Sequence, residues 1–269
     1  MCAESYPEDP CGVGEIGVAG IKSVLFALQF LTIIPLAPGL SFKDSELKAS
    51  LAFFPSVGLL LGGLVAGFDW AAKDLWPPSV VGAMDVAWLA FLTRGLHLDG
   101  LTDTSDAIGS GAGPEKALSI MKDSHSGALG ILVLVLVLIL KASALAVLSG
   151  RGAWEAVLLC PCLSRWALNV MASFSIYARP EGGLGEAFVG PGTRWTLALA
   201  GPTALGAAWF IWGLWGIWLF AGVVAWSLLA SLWFRMRLGG VTGDVLGGHL
   251  EVSETLLFLG AAAVCRINF

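Results

Sequence analysis

His97-Leu-Asp99-Gly-Leu-Thr-Asp103-Thr-Ser-Asp106 sets three carboxylates at spacings of four and three residues. In a helix this places Asp99, Asp103 and Asp106 on one face. Like charges so arranged repel, so the pattern asks for a cation between them. Mg²⁺ is the simplest choice, because it takes hard oxygen ligands and is often shared between carboxylates and substrate phosphates. The competing reading is a row of solvated loop charges, capped or paired with Lys116 and Lys122.

The surrounding chain is built for a bilayer. Its 269 residues are 57% hydrophobic and 13% charged, with a mean hydropathy of +0.81; a soluble domain carries about 25% charged residues. The runs Leu51 to Gly67, Leu129 to Leu148 and Thr196 to Phe234 are near or beyond the roughly 20 residues a spanning helix needs. The expected fold is all-α, a polytopic membrane helical bundle of about seven transmembrane helices. Apolar segments fall at 21–38, 51–71, 79–96, 129–149, 154–176, 196–212 and 214–234, with a weaker one at 255–266. The break between the sixth and seventh is expected near Gly213 to Gly216. Pro35 and Pro38 make the first segment a re-entrant or interfacial candidate. Trp209, Trp212, Trp215 and Trp218 suit either an interface belt or packing within the bundle.

Residues 1–20 carry Glu4, Glu8, Asp9 and Glu15 and lack the basic start of a signal peptide. They read as a poorly ordered acidic tail, ahead of a single integral-membrane catalytic domain at 21–269. A net charge of −5 argues against a nucleic-acid surface. Cys160-Pro-Cys162 lies in an apolar run without a second pair and reads as buried small hydrophobes, not a metal or redox site.

Alternating the loops between sides puts 39–50, 97–128, 177–195 and 235–253 together. That side holds Lys43, Lys48, Lys116, Lys122, Arg179, Arg194, Arg235 and Arg237, against only Lys73 and Arg151 on the other. The asymmetry makes the first side cytoplasmic. The acidic loop, between the third and fourth apolar segments, therefore faces the cytoplasm, as do the other long polar loops.

Within that loop Gly109, Gly111, Gly113 and Pro114 break the first helix. A second short helix follows, with Pro114 in its first turn. It delivers Asp123, then Ser124, His125, Ser126 and Gly127. Two short helices folded back on each other would set Asp123 opposite the first acid face. His97 reads as a general base, a group orienting the site, or a structural histidine. Lys141 and Arg165 lie inside apolar stretches and suit either phosphate contacts or an intramembrane ion pair. The Gly-rich loops Glu181 to Gly185 and Gly239 to Asp244 suit either backbone approach to a phosphate or plain connectors. Asp244 is a further ligand candidate, while His249 and Glu251 read as interfacial.

The motif His97 to Asp106, followed by Leu118-Ser-Ile-Met-Lys-Asp-Ser-His-Ser-Gly-Ala-Leu-Gly130, closely resembles the signature of the cobalamin synthase family, the adenosylcobinamide-GDP ribazoletransferases. Gln29 to Pro35, Phe54 to Gly62, Ser164-Arg165 with Gly182 to Gly190, and Leu238 to Gly248 are similar to the same family in the expected order. Together they cover nearly all of the chain after residue 20. Ala107 stands where glycine is expected, and the N-terminal tail is not a family feature.

The resemblance implies a Mg²⁺-dependent transferase of the last steps of cobalamin biosynthesis. The ribose 3′-hydroxyl of α-ribazole, or of its 5′-phosphate, would attack the cobinamide-linked phosphate of adenosylcobinamide-GDP and release GMP. Asp99, Asp103, Asp106 and Asp123 would hold the metal, and one of them or His97 would take the hydroxyl proton. Arg165 and Lys141, with Ser124, Gly127 and Asp244, would contact the substrate phosphates. The setting implied is the cytoplasmic (inner) membrane of a bacterium or archaeon, with homo-oligomerisation left open. Two rivals differ in class. A CDP-alcohol phosphotransferase carries Ala-Arg after its first Asp-Gly, where Asp99-Gly100 is followed by Leu-Thr-Asp-Thr. An ion-coupled transporter would use the acids for Na⁺, H⁺ or Ca²⁺, but no internal repeat is present.

Overall fold

The computed structural model describes residues 13–36, 39–123, 125–183 and 185–267. These form ten α-helices linked by short 3₁₀ turns, with one isolated bridge between Tyr177 and Val241. The helices are α1 Val13–Leu31, α2 Asp44–Ser50, α3 Phe54–Ala72, α4 Pro78–Leu92, α5 Leu96–Gly109, α6 Pro114–Ile120, α7 Ala128–Arg151, α8 Trp154–Phe174, α9 Arg194–Leu238 and α10 Gly243–Ile267. Among the described residues five spans are long and apolar enough to cross a membrane: α2 with α3, α7, α8, α9 and α10. A sixth appears if α4 and α5, bent by 96°, count as one broken span.

The hub is α8. Of its apolar window 89% is buried, against 22% for α7. Glycine lets α3 reach it: a Cβ on Gly58 or Gly62 would strike the α8 backbone at Pro161 and Leu158. The Gly58-Leu-Leu-Leu-Gly62 stripe thus works as small-residue helix packing does in membranes. Pro161 lies inside α8, and its own carbonyl accepts from the Ser164 hydroxyl at 3.0 Å. Cys160, Cys162 and Cys265 are buried and free.

Three expectations need correction. The first apolar segment ends at Leu31, not 38, and α1 begins at Val13, ahead of the expected boundary at 21; residues 1–12 of the expected tail lie outside the described residues. The third segment does not run to 96. It ends at Leu92, where Arg94 (φ 56°) and Gly95 (φ 63°) turn the chain into α5. The weak segment at 255–266 is the end of a 25-residue helix that starts at Gly243. His249, Glu251, Ser253 and Glu254 dilute its hydropathy, yet all four are buried. The polar face of α10 points into the protein, so a hydropathy scan underestimates it and His249 and Glu251 are not interfacial.

The expected break in the long apolar run is present. Gly213 has φ 59°, ψ −135° within α9, and a Cβ on Gly216 would collide with the Ala208 backbone. Residues eight apart in an unbroken helix lie about 12 Å apart, so α9 doubles back as a hairpin with Trp209, Trp212, Trp215 and Trp218 around its tip. Both ends of α9 therefore return to one end of the bundle.

Four polar loops meet at that end. Lys22 pairs with Glu46 of α2 at 3.5 Å, and Phe26 of α1 touches Phe42 and Phe188. Lys122 pairs with Glu181. Ala178 N–H donates to the Val241 carbonyl, and Val241 N–H to that of Ile176, both at 2.9 Å.

Candidate active site

Helix α5 lies across the N-terminal end of α10. A Cβ on Gly100 would stand 2.7 Å from the Asp244 carbonyl, and Gly247 backs onto His97 with room for 3.3 Å. Glycine at 100 and 247 therefore sets how closely the acid-bearing helix can approach Asp244. Asp103 feels the negative charges of Asp99, Asp244 and Asp106, opposed by Arg179. Asp99, exposed, lines two cavities. One is about 190 Å³, with His97, Asp244 and the rings of Phe30, Phe54 and Phe188. The other is about 630 Å³, with Arg94, Thr102 and Ser126. The phenylalanine wall is coherent: Phe30 stacks on Phe188 at 5.4 Å and on Phe54 at 6.2 Å between ring centroids.

Asp244 is held by Arg179, whose guanidinium donates to it at 2.8 Å. Beside them the Gly-rich loops are packed, not loose. Gly185 abuts Gly243, and a Cβ on Gly240 would meet the Ile176 carbonyl. Tyr177 adjoins Arg179, and burial pushes its phenol above the usual range. Glu181 is held below the usual carboxylate range by its hydrogen bond from Lys122.

His97 is 3% exposed, and neither ring nitrogen has a hydrogen-bond partner among the described residues. Such atoms are rare in folded proteins and mark strain or function. Here they belong to a side chain lining the smaller cavity.

The expected site residues separate into three groups. Asp99, Asp103, His97 and Asp244 come together. Asp106 sits on the same helix but serves another purpose. Its two oxygens accept from the Gly127 N–H at 2.6 Å and the Gly130 N–H at 2.8 Å, capping α7. A Cβ on Gly127 or Gly130 would collide with that carboxylate, so the glycines of the Ser-His-Ser-Gly-Ala-Leu-Gly stretch are there to receive Asp106. Asp123 is not folded onto the first acid face. It accepts from the His125 backbone N–H at 3.1 Å and meets the His125 ring at 2.7 Å, which hold its carboxyl below the usual range. Asp244 takes the place expected for Asp123. Ser124 lies outside the described residues.

Lys141 and Arg165 form the third group, and the intramembrane ion pair is the reading the structure bears out. Lys141, 2% exposed, donates to Glu251 and, at 2.9 Å, to Glu254. Arg165, fully buried, donates to Glu254 and, at 2.9 Å, to Ser164. Two cations and two carboxylates thus cancel inside the bundle. Neither cation opens onto a cavity beside Asp99.

The acids present hard oxygens suited to Mg²⁺. Neither Asp99 nor Asp103 has an ion-pair partner among the described residues. No three His, Cys, Asp or Glu among the described residues already stand close enough to hold a metal. The donor set therefore fits an ion that takes one or two carboxylates and completes its shell with substrate phosphate and water, which is the usual habit of Mg²⁺.

A family model described as cobalamin-5-phosphate synthase matches residues 23–262. The chain belongs to this family. An adenosylcobinamide-GDP ribazoletransferase of Geotalea daltonii is 38% identical over 245 residues, covering 91% of this chain and 98% of its own. A protein so named from Syntrophobacter fumaroxidans is 40% identical, covering 88% and 97%, and one from Roseiflexus sp. is 39% identical, covering 86% and 85%. No solved structure matches. As a cobalamin-5-phosphate synthase family member the chain bears out the resemblance carried by the acidic motif. Arg179, which counted in the sequence only toward loop charge, is the cation the structure sets on Asp244. The available signal was Arg179's place directly before the Pro180-Glu181-Gly-Gly loop.

Proposed function

We propose that this chain is an adenosylcobinamide-GDP ribazoletransferase. It joins adenosylcobinamide-GDP to α-ribazole, or to α-ribazole 5′-phosphate, and releases GMP. The 3′-hydroxyl oxygen of the ribose forms a new bond to the cobinamide-linked phosphorus, the pyrophosphate P–O bond breaks, and GMP carries away the electron pair. The observation that carries this reading is the convergence of Asp99, Asp103 and Asp244 beside Arg179 at the head of α10, where the polar loops meet.

In this reading Asp99 and Asp103 hold Mg²⁺, which when bound neutralises pyrophosphate charge. Arg179 contributes a guanidinium to the same anion from its seat on Asp244. His97 accepts the hydroxyl proton through a ring nitrogen that has no hydrogen-bond partner among the described residues. Phe30, Phe54 and Phe188 offer a planar base an aromatic wall. Counting α4–α5 once and each arm of the α9 hairpin separately gives seven spans. The loops with the larger share of Lys and Arg then lie in the cytoplasm, in a bacterial or archaeal inner membrane.

Paired variants test the residue assignment. Asp103→Asn should cut GMP release by about 10²-fold or more and raise the Mg²⁺ requirement. Asp123→Asn should retain most activity. Equal losses in both would contradict the assignment of the metal to Asp99 and Asp103 without Asp123.

A further inference from the structure

A groove of about 800 Å³, larger than either cavity at the acids, lies on the opposite face of α5. Leu101, Thr104, Ser105 and Ile108 form its α5 side; they stand roughly half a turn from Asp99 and Asp103. Its other walls are α7, α10 and the second arm of α9, with Trp226, Trp233 and Phe234 the largest side chains and Leu229 between them. The polar atoms nearby are turned into the protein. Trp226 donates to Ser253 at 3.1 Å, and the His249 ring meets Ser227 at 3.0 Å while stacking on Trp226. The surface left to a ligand is almost wholly apolar, which does not suit a nucleotide or an amide-bearing corrinoid. Its size falls within the roughly 300–1,000 Å³ of sites that hold ligands.

Two arginines adjoin the end of the groove nearest the polar loops. Met236 lines it, and Arg235 and Arg237 flank Met236 in the last turn of α9. Both arginines are exposed, and neither has an acidic partner among the described residues. An apolar slot between helices of spanning length, with two exposed arginines at one end that have no acidic partner among the described residues, is complementary to one kind of molecule. We propose that the groove holds an anionic phospholipid, with its acyl chains against Trp226, Leu229 and Trp233 and its phosphate at Arg235 and Arg237. The lipid would brace the back of α5, the helix that carries the acids.

The test uses the full chain, delipidated in detergent and titrated with phosphatidylglycerol or phosphatidylcholine of matched acyl chains. Native mass spectrometry counts retained lipid, and circular dichroism checks the fold. The wild-type protein should retain phosphatidylglycerol with a roughly tenfold preference. The double variant R235Q/R237Q should lose that preference while remaining helical and active. Leu229→Trp, which fills the slot, should weaken retention of both lipids. Equal retention of the two lipids by the wild-type protein would overturn the proposal, as would a preference that survives R235Q/R237Q. A dimer that covers the groove and excludes lipid would also overturn it, naming a second copy as the occupant. The wild-type titration and Leu229→Trp still decide if the double variant does not fold. Lipid retention is read without turnover, so its outcome is separate from that of the proposed reaction.

Discussion

Each acid of the motif is explained by the groups it meets. Asp99 and Asp103 have no ion-pair partner among the described residues, whereas Asp106 spends both oxygens on amides of α7. Asp106→Ala should therefore cost about 2 kcal/mol of stability through the lost cap, measured by denaturant unfolding in detergent; Asp103→Asn should cost little stability. Glu254 is the sole described acid that touches both Arg165 and Lys141. Removing it strands buried positive charge, so Glu254→Ala should destabilise by about 3–5 kcal/mol. Asp123 behaves differently, being exposed and bonded to His125. Its depressed carboxyl contributes above the ordinary titration range and loses that contribution as pH falls through its own midpoint. His125→Ala should move the Asp123 midpoint up toward 3.8 by NMR titration. Residue types and spacing made the acids legible as a group. They did not distinguish ligand from cap, because that distinction depends on Gly127 and Gly130, more than twenty residues on.

At the scale of elements, glycine decides how closely helices approach. Gly100→Ala places a methyl 2.7 Å from the Asp244 carbonyl and pushes α5 off α10. The expected result is a loss of activity larger than the loss of stability, read by GMP release beside thermal unfolding. Gly216→Leu should unseat the α9 hairpin, where even a Cβ collides with the Ala208 backbone, and cost about 1–3 kcal/mol. The hairpin was readable in the sequence because its apolar run is too long for one span and holds a Gly pair near its middle. Helix α10 was harder to read. Its polar residues satisfy one another inside the bundle, and hydropathy alone treats such residues as an interruption. The turn at Arg94 and Gly95 was hidden for a related reason, since hydropathy does not record the left-handed backbone of such a pair.

Over the whole molecule, the four long polar loops fold to one end, around the candidate site. This was legible from the Lys and Arg imbalance before any contact was known. The contacts that complete it, Arg179 with Asp244 and Lys122 with Glu181, join loops 65 and 59 residues apart and leave no local pattern. Cysteine substitutions at Lys122 and Lys73 should label from opposite sides of the membrane, with Lys122 on the cytoplasmic side; same-side labelling would reject the topology. The central claim is the reaction, and its most direct measurement is GMP release by the purified protein in detergent, given adenosylcobinamide-GDP and α-ribazole, with Mg²⁺ or with EDTA. GMP and the joined corrinoid product should form in equal amounts with Mg²⁺, and neither with EDTA. Folded protein that makes no product from α-ribazole or its 5′-phosphate, or turnover undiminished by EDTA, would contradict that claim.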